Sequence, residues 1–198
     1  MNRSYSSSIA AAMAAALLAG VTLPGAAWSE PVKWEKRDGG NGHWYEAVWV
    51  PEGINWPEAA VEAFSRGCGW HLATITSPEE DEFVFGLIAN NDDFFIQPND
   101  GGGIDVHGPW LGGFQRNSFS EPDGNWRWVT RESFDYTNWD EGEPNDDDGI
   151  EDFLHYKRIP DPEGDIPIWN DSGPERDPAL KGYIVESDGP RRDCRGQR

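Results

Sequence analysis

The side chains best suited to chemistry stand in two oxygen-rich clusters between Asn138 and Asp171. The first reads NWDEGEPNDDDGIED and the second IWND. Between them FLHYK, Phe153 to Lys157, alternates as a strand does, and two such loops separated by one strand can meet at its end. Calcium is a hard cation that takes about 6–8 oxygen ligands from carboxylates, amide carbonyls, backbone and water. Glu143, Asn145, Glu151, Asn170 and Asp171 supply that chemistry, three of them as carboxylates. Pro144 locks its own φ, restricts Glu143 and takes the cis form at low cost, so it can fix Glu143 and Asn145 with their oxygens facing one point.

Other chemistry is thin. His43, His71, His107 and His155 show no zinc spacing, and His71 and His155 fall in expected strands, where a structural role outweighs ligation. Gly101 to Gly103 have neither a following helix nor a lysine, so they form no phosphate loop. There is no GxSxG nucleophile elbow. Glu143 and Glu151 could serve as a glycosidase acid and base, but that leaves EPN and WND unexplained, so no enzyme is expected. Asp92, Asp93, Asn99, Asp100 and Asp105 do not match an EF-hand calcium loop and read better as a solvated loop than as a second cation site.

The elements that must position the two clusters are short. WYEAVWV (Trp44 to Val50) is β-branched and aromatic, a strand. Asn55 to Gly67 reads as a helix with Pro57 near its start and Gly67 at its end, its core face expected at Ala60, Val61 and Phe64. HLATI (His71 to Ile75) is a further strand. A second helix follows with Ser77 as N-cap, Pro78 at the first position and Glu80 closing a capping box, its stripe Phe83, Val84, Leu87 and Ile88. Asn90 to Gly108 is a long loop by composition. PWLGGF (Pro109 to Phe114), NWRWV (Asn125 to Val129), DIPIWND and GYIVE give the remaining strands, and Trp110, Trp126 and Trp128 are expected in the core. No period of 20–50 residues repeats, so solenoids are excluded.

Residues 1–27 hold an early Arg3, an apolar run and small residues before Trp28, the pattern of a signal peptide cut after Ala27 or Ser29. The expected product is secreted or periplasmic, with no membrane span in the mature chain. About 170 residues remain, which suits one domain. With 36 Asp and Glu against 16 Lys and Arg, a net charge of -20, the chain is unsuited to nucleic acid or anionic membranes. Its 11 Trp give ample core material. Cys68 and Cys194 are the disulfide candidate of an exported protein, which would contribute about 4–5 kcal/mol; two unpaired thiols are the alternative. Asp188 to Arg198 form a polar, basic tail.

With these segments in order, the sequence resembles a C-type lectin-like domain of the bacterial, secreted type. HLATITSPEE (from His71), PWLGGFQ (from Pro109), WRWV (from Trp126), EPN (from Glu143), Glu151 with Asp152, WND (from Trp169) and YIVE (from Tyr183) carry the resemblance across residues 42–187. It implies an α+β, C-type lectin-like fold: two helices flanking antiparallel sheets, a long calcium-ordered loop region and adjacent termini. It implies Ca2+ as cofactor, held by Glu143, Asn145, Glu151, Asn170 and Asp171, which also bind carbohydrate through two vicinal hydroxyls. The order Glu-Pro-Asn goes in that family with equatorial 3- and 4-hydroxyls, as in mannose, glucose and N-acetylglucosamine. Glycans of the mannose class are thus the expected partners, with a homo-oligomer supplying avidity. Asp146 and Asp152 match acids that some members use for an auxiliary calcium, whose other ligands would fall near Gln115 and Ser118. The family's helix-to-last-strand bridge would align near Ser65 and Val185, so a Cys68–Cys194 staple is a shifted version of it, and Phe153 stands where a second bridge would begin. The KRIPDPEGDIP insertion (Lys157 to Pro167) is longer than usual. The alternative is a calcium-stabilised protein-interaction module that binds no sugar.

Overall fold

The structure, a computed structural model, describes residues 27–28, 30–97, 106–115, 121–159, 165–174 and 179–189. Residues 1–26 of the expected signal peptide, Asn99, Asp100, Asp105, Ser118 and Cys194 lie outside them. Among the described residues no cysteine is a free thiol, and the pairing of Cys68 with Cys194 remains a proposal.

Helix α1 runs Trp56–Ser65. The Asn55 side chain caps it by accepting from the Glu58 N–H at 2.8 Å, Pro57 occupies its first turn, and Gly67 follows its end at φ 128°, a conformation that favours glycine. Helix α2 runs Pro78–Gly86, with Ser77 accepting from the Glu80 N–H at 3.2 Å. The capping box closes one residue further out than expected. Glu80 Oε2 accepts from the Thr76 N–H (2.7 Å) and hydroxyl (2.8 Å) rather than from Ser77. Its other oxygen accepts from Tyr45 and Asn41, so Glu80 ties the helix start to the first long strand.

Nine strands are formed among the described residues: β1 Ala27–Trp28, β2 Val32–Lys33, β3 Trp44–Trp49, β4 Trp70–Leu72, β5 Val106–Phe114, β6 Arg127–Trp128, β7 Phe153–Ile159, β8 Ile166–Ser172 and β9 Gly182–Ser187. They join in one sheet of order β1-β3-β9-β5-β7-β8, with β2 on β3, β4 on β9 and β6 on β5. All pairings are antiparallel except β5 with β9, which meet in parallel at Trp110 and Tyr183. With the two helices, this mostly antiparallel sheet is the α+β architecture expected. β3 and β9 pair over their whole length, Trp44 against Ser187 through Trp49 against Gly182, which brings the two ends of the domain together. The expected loop from Asn90 to Gly108 closes earlier than its composition implies. Ile96 bridges His107 through two bonds of 2.9 Å, and β5 already begins at Val106.

The core fills both sides of this sheet. One cluster gathers Tyr45, Ile75, Val84, Phe85, Leu111, Trp128, Tyr156 and Trp169; the other gathers Val48, Trp56, Leu72, Trp110, Tyr183 and Val185. Trp110, Trp126 and Trp128 are buried as expected. The face of α1 is only in part the expected one: Trp56, Ala59 and Ala63 are buried and Ala60 packs against that cluster, while Val61 and Phe64 are 66% and 78% exposed. Trp56 fixes that rotation. Its indole N–H donates to the Leu111 carbonyl at 2.7 Å and its ring stacks on Phe153 at 4.6 Å, and small alanines on the same stripe admit the sheet closely. In α2, Phe85 joins Val84 and Ile88 in the core, while Phe83 and Leu87 are only partly covered.

Candidate functional site

The EPN segment lies beside the end of β8. Trp139 bridges Trp169 in parallel; the Trp169 N–H donates to the Asn138 carbonyl at 2.8 Å and the Asp140 N–H to the Trp169 carbonyl at 3.0 Å. The β7–β8 register sets His155 opposite Asn170 and Leu154 opposite Asp171, so the WND residues sit where the hairpin reaches the loop. The Glu143–Pro144 peptide is cis, the form that Pro144 makes accessible. Asp171 clamps the turn after it: its two carboxylate oxygens accept from the Asn145 N–H at 3.2 Å and the Asp146 N–H at 2.9 Å. The next turn folds on itself. The Asp147 N–H donates to Asn145 Oδ1 (2.9 Å) and to Glu151 Oε2 (3.1 Å), and the Glu151 N–H donates to Asp146 Oδ1 (3.0 Å). Asp146 and Asp148 take positive φ there, 49° and 58°, a conformation that aspartate tolerates better than most residues.

The structure thus brings Glu143, Asn145 and Asp171 together, joins Asn145 to Glu151 through the shared Asp147 N–H, and sets Asn170 beside Asp171. Asn170 Nδ2 donates to the Asp171 carbonyl at 2.7 Å and lies 3.4 Å from His155 Nε2. Among the described residues no three His, Cys, Asp or Glu side chains stand as a formed metal cage. The donors nevertheless fit a hard cation. Glu143 Oε2 and Asn170 Oδ1 are closed off from solvent with no hydrogen-bond partner, and a buried acceptor without a donor is unfavourable unless a cation or another donor meets it. Burial, then the charge of Asp171, pushes the Glu143 carboxyl up to about 7, against the lowering effect of Lys157. Burial raises Asp171 as well, although the backbone N–H groups of Asp146 and Asn145 favour its charged form. Carboxylates crowded into a partly dry loop are held in readiness for positive charge.

Residues outside both motifs position the site. Asp81, on α2 and 1% exposed, accepts from Tyr156 OH (2.7 Å), Asn138 Nδ2 (2.8 Å), Tyr136 OH (2.9 Å) and Trp169 Nε1 (3.3 Å). One buried carboxylate therefore binds the segment entering EPN to β7 and β8. Lys157 Nζ donates to Asp140 at 2.6 Å and fixes the approach to the loop.

Glu121 is a further residue that motif reading misses. It precedes a second cis proline, and both its carboxylate oxygens are closed off without a partner. Burial raises its pKa against the lowering effect of the neighbouring Gln115 side chain, and the charges of Asp146, Asp152 and Asp171 raise it further, which places those acids nearby. Gln115 is held beside it by donating to the carbonyls of Pro122 (2.9 Å) and Gly124 (2.7 Å), and Gln115 Oε1 is likewise without a donor. The expectation of further ligands near Gln115 and Ser118 does not include Glu121, and a Glu-Pro dipeptide is the one sequence signal that it carries.

This architecture is the C-type lectin-like fold. It aligns with the C-type lectin CEL-I of Cucumaria echinata at a TM-score of 0.52 and 20% identity, over 80% of this chain and 93% of that one. An EPNH mutant of CEL-I aligns at a TM-score of 0.53 and 21% identity, over 80% and 92%. No family model matches the sequence. Among curated proteins, ladderlectin of Oncorhynchus mykiss is 32% identical over 104 residues, which cover 52% of this chain and 46% of ladderlectin. Perlucin of Haliotis laevigata is 28% identical over 124 residues, covering 59% and 66%. The chain therefore spans about half to two thirds of these relatives, at 46% and 66% of their length. Ladderlectin and CEL-I are lectins by name. Among the described residues no helix is long and apolar enough to cross a membrane.

Proposed function

We propose that this chain is a calcium-dependent carbohydrate-binding protein whose ligand set is Glu143, Asn145, Glu151, Asn170 and Asp171. The observation that carries the reading is the pair of buried, unpartnered oxygens, Glu143 Oε2 and Asn170 Oδ1, in a loop end shared with Asp171. Calcium, when bound, would offer coordination positions to two neighbouring hydroxyls of one sugar. The chain's own residues would do the reading. Carboxylates would accept charge-assisted hydrogen bonds from the hydroxyls, and the Asn145 and Asn170 amides would donate to the hydroxyl oxygens. The acid-then-amide order across the cis Pro144 favours equatorial 3- and 4-hydroxyls, hence mannose, glucose and N-acetylglucosamine. A single site of this kind binds a monosaccharide at about millimolar strength, so avidity calls for several copies. Export and the Cys68–Cys194 staple belong to the same reading.

A glycan array probed with the chain in calcium and again in EDTA is the test. Calcium-dependent capture of mannose-class sugars is expected; capture that survives EDTA would place the reader elsewhere. Glu143→Gln with Asn145→Asp should move preference toward galactose, and an unchanged preference in that double variant would remove the EPN loop from the role.

One observation favours a second reading. Asp171 already holds the Asn145 and Asp146 N–H groups, so it staples the loop without any sugar. A module that uses calcium only to order this loop for a protein partner would gain melting temperature from calcium and capture no glycan.

A further inference from the structure

The β5–β6 end of the sheet carries a groove of about 590 Å³, lined by none of the proposed calcium ligands but by Phe114, Trp126, Arg127, Trp128, Arg131 and Phe134, with Val129 and Glu132. That volume falls within the range of small-molecule sites, about 300–1,000 Å³. Its wall is a rigid aromatic stack. Phe134 lies 4.6 Å from Trp128 and 6.2 Å from Trp126, and Trp126 lies 4.8 Å from Trp139, ring centre to ring centre. Trp126 and Trp128 are locked in the core, while Phe114 and Phe134 keep part of their surface open.

The charge at its lip runs against the rest of the molecule. In a chain of net charge -20, Arg127 and Arg131 are both exposed. Neither guanidinium makes an ion pair or hydrogen bond among the described residues. Glu132, the acid beside them, is occupied by the hydroxyls of Thr74 and Thr130, each at 2.8 Å. Arg131 holds a φ of 71°, a left-handed conformation that is strained for a non-glycine residue and that tends to persist where a side chain is needed. Two unpaired guanidinium forks beside half-open aromatic faces match a ligand with an apolar flat face and one planar or tetrahedral anionic group.

We propose that this groove is a second, calcium-independent subsite for a sugar residue bearing one carboxylate or sulfate. The ring would lie against Phe114 and Phe134, and its anionic group would be held by Arg127 and Arg131. A single negative charge is specified because the overall charge of the chain opposes a polyanion. The choice of a sugar over other small anions rests on the lectin reading above; the groove and its arginines do not.

The test titrates the full chain with cellobiouronic acid, a cellobiose monosulfate and cellobiose, followed by NMR in EDTA and again in calcium. In EDTA the anionic disaccharides should bind and cellobiose should not, and the stronger of the two identifies carboxylate or sulfate as the preferred group. Arg127→Gln and Arg131→Gln should each weaken that binding about tenfold, and raised salt should weaken it too. Arg131→Gly keeps the backbone comfortable, so it should raise the melting temperature while losing the same affinity, which separates binding from folding. Capture of mannose in calcium should be untouched by all three substitutions. Binding that the arginine variants leave unchanged would overturn the proposal, as would anionic binding that EDTA or Glu143→Gln abolishes. Mannose capture without any anionic binding in EDTA would overturn this subsite and leave the calcium reading standing. Anionic binding in EDTA without mannose capture would do the reverse.

Discussion

Glu143 Oε2 and Asn170 Oδ1 are closed off from water without a donor, and leaving a buried acceptor unpaired costs about 1–3 kcal/mol. The charges of Glu151 and Asp171 fall on Glu143 as well, so the metal-free loop carries mutual repulsion that a bound cation would relieve. Glu143→Gln should therefore hold or slightly raise the melting temperature in EDTA and lose the stabilisation that calcium confers. Melts of both proteins with and without calcium check this, and a retained calcium shift in the variant would remove Glu143 from the ligand set. A different pair governs pH. His43 Nδ1 lies 2.6 Å from Glu186 Oε1. The hydrogen bond to Glu186 raises the His43 pKa above its ordinary value against the opposing effect of burial, with the charges of Glu186, Asp188 and Glu80 adding to the rise. A raised folded-state pKa means that the stabilisation is complete below about pH 6.5 and fades as pH climbs through the folded value. The stability gap between the parent chain and His43→Gln should be about 1 kcal/mol at pH 5.5 and should be smaller at pH 8.5. Urea unfolding at the two pH values measures it, and a gap that widens with pH would contradict the assignment.

Helix α2 and the β7–β8 hairpin are joined through one side chain, and that joint aims the candidate site. Asp81 takes donors from Tyr136, Asn138, Tyr156 and Trp169. Asp81→Ala would strand those donors in the core and should destabilise the fold by about 3 kcal/mol. Because Tyr136 and Asn138 lead into EPN, calcium affinity should fall with it. Asp81→Asn keeps an acceptor and should cost less on both counts, while equal loss in the two variants would show that the charge rather than the joint matters. Calorimetric titration with calcium, alongside chemical unfolding, reads both quantities. This joint also explains what the sequence could and could not reveal. Glu143, Asn145, Glu151, Asn170 and Asp171 stand in two short segments whose residue types declare their chemistry locally. Asp81 looks like one more helix acid, since its four partners are scattered from residue 136 to 169 and only the folded sheet collects them. Glu121 is hidden for the same reason, its neighbours lying on other loops. The strands of Trp44–Trp49 and Gly182–Ser187 were legible from composition, but their pairing was not, because register is set by partners far along the chain. The buried face of α1 was misread at Val61 and Phe64 because hydrophobicity alone does not reveal that Trp56 anchors the helix, through the Leu111 carbonyl and the Phe153 ring.

At the scale of the whole molecule, the β3–β9 pairing closes the domain at its ends and leaves the EPN turn and the end of β8 together in the loop region. A net charge of -20 is spread over that frame. Two kinds of cation effect follow, and they can be separated. Self-repulsion among exposed acids destabilises the compact state and is screened by any salt, with a Debye length of about 10 Å at 0.1 M. A specific site instead stabilises by mass action, by about 2.7 kcal/mol once free calcium reaches a hundred times its dissociation constant. Raising sodium chloride from dilute buffer to physiological strength in EDTA should therefore lift the melting temperature of the parent chain and of Glu143→Gln equally. Adding calcium at fixed ionic strength should lift the parent further, in proportion to the logarithm of calcium concentration, and leave the variant where salt alone put it. Magnesium at the same concentration should do little for either, since a loop offering several carboxylate and amide oxygens suits the larger, more flexibly coordinated ion. If calcium and magnesium act alike, and act alike on both proteins, Glu143 and Glu151 hold no specific cation, and the loop owes its shape to the hydrogen bonds of Asp171 and Asp81.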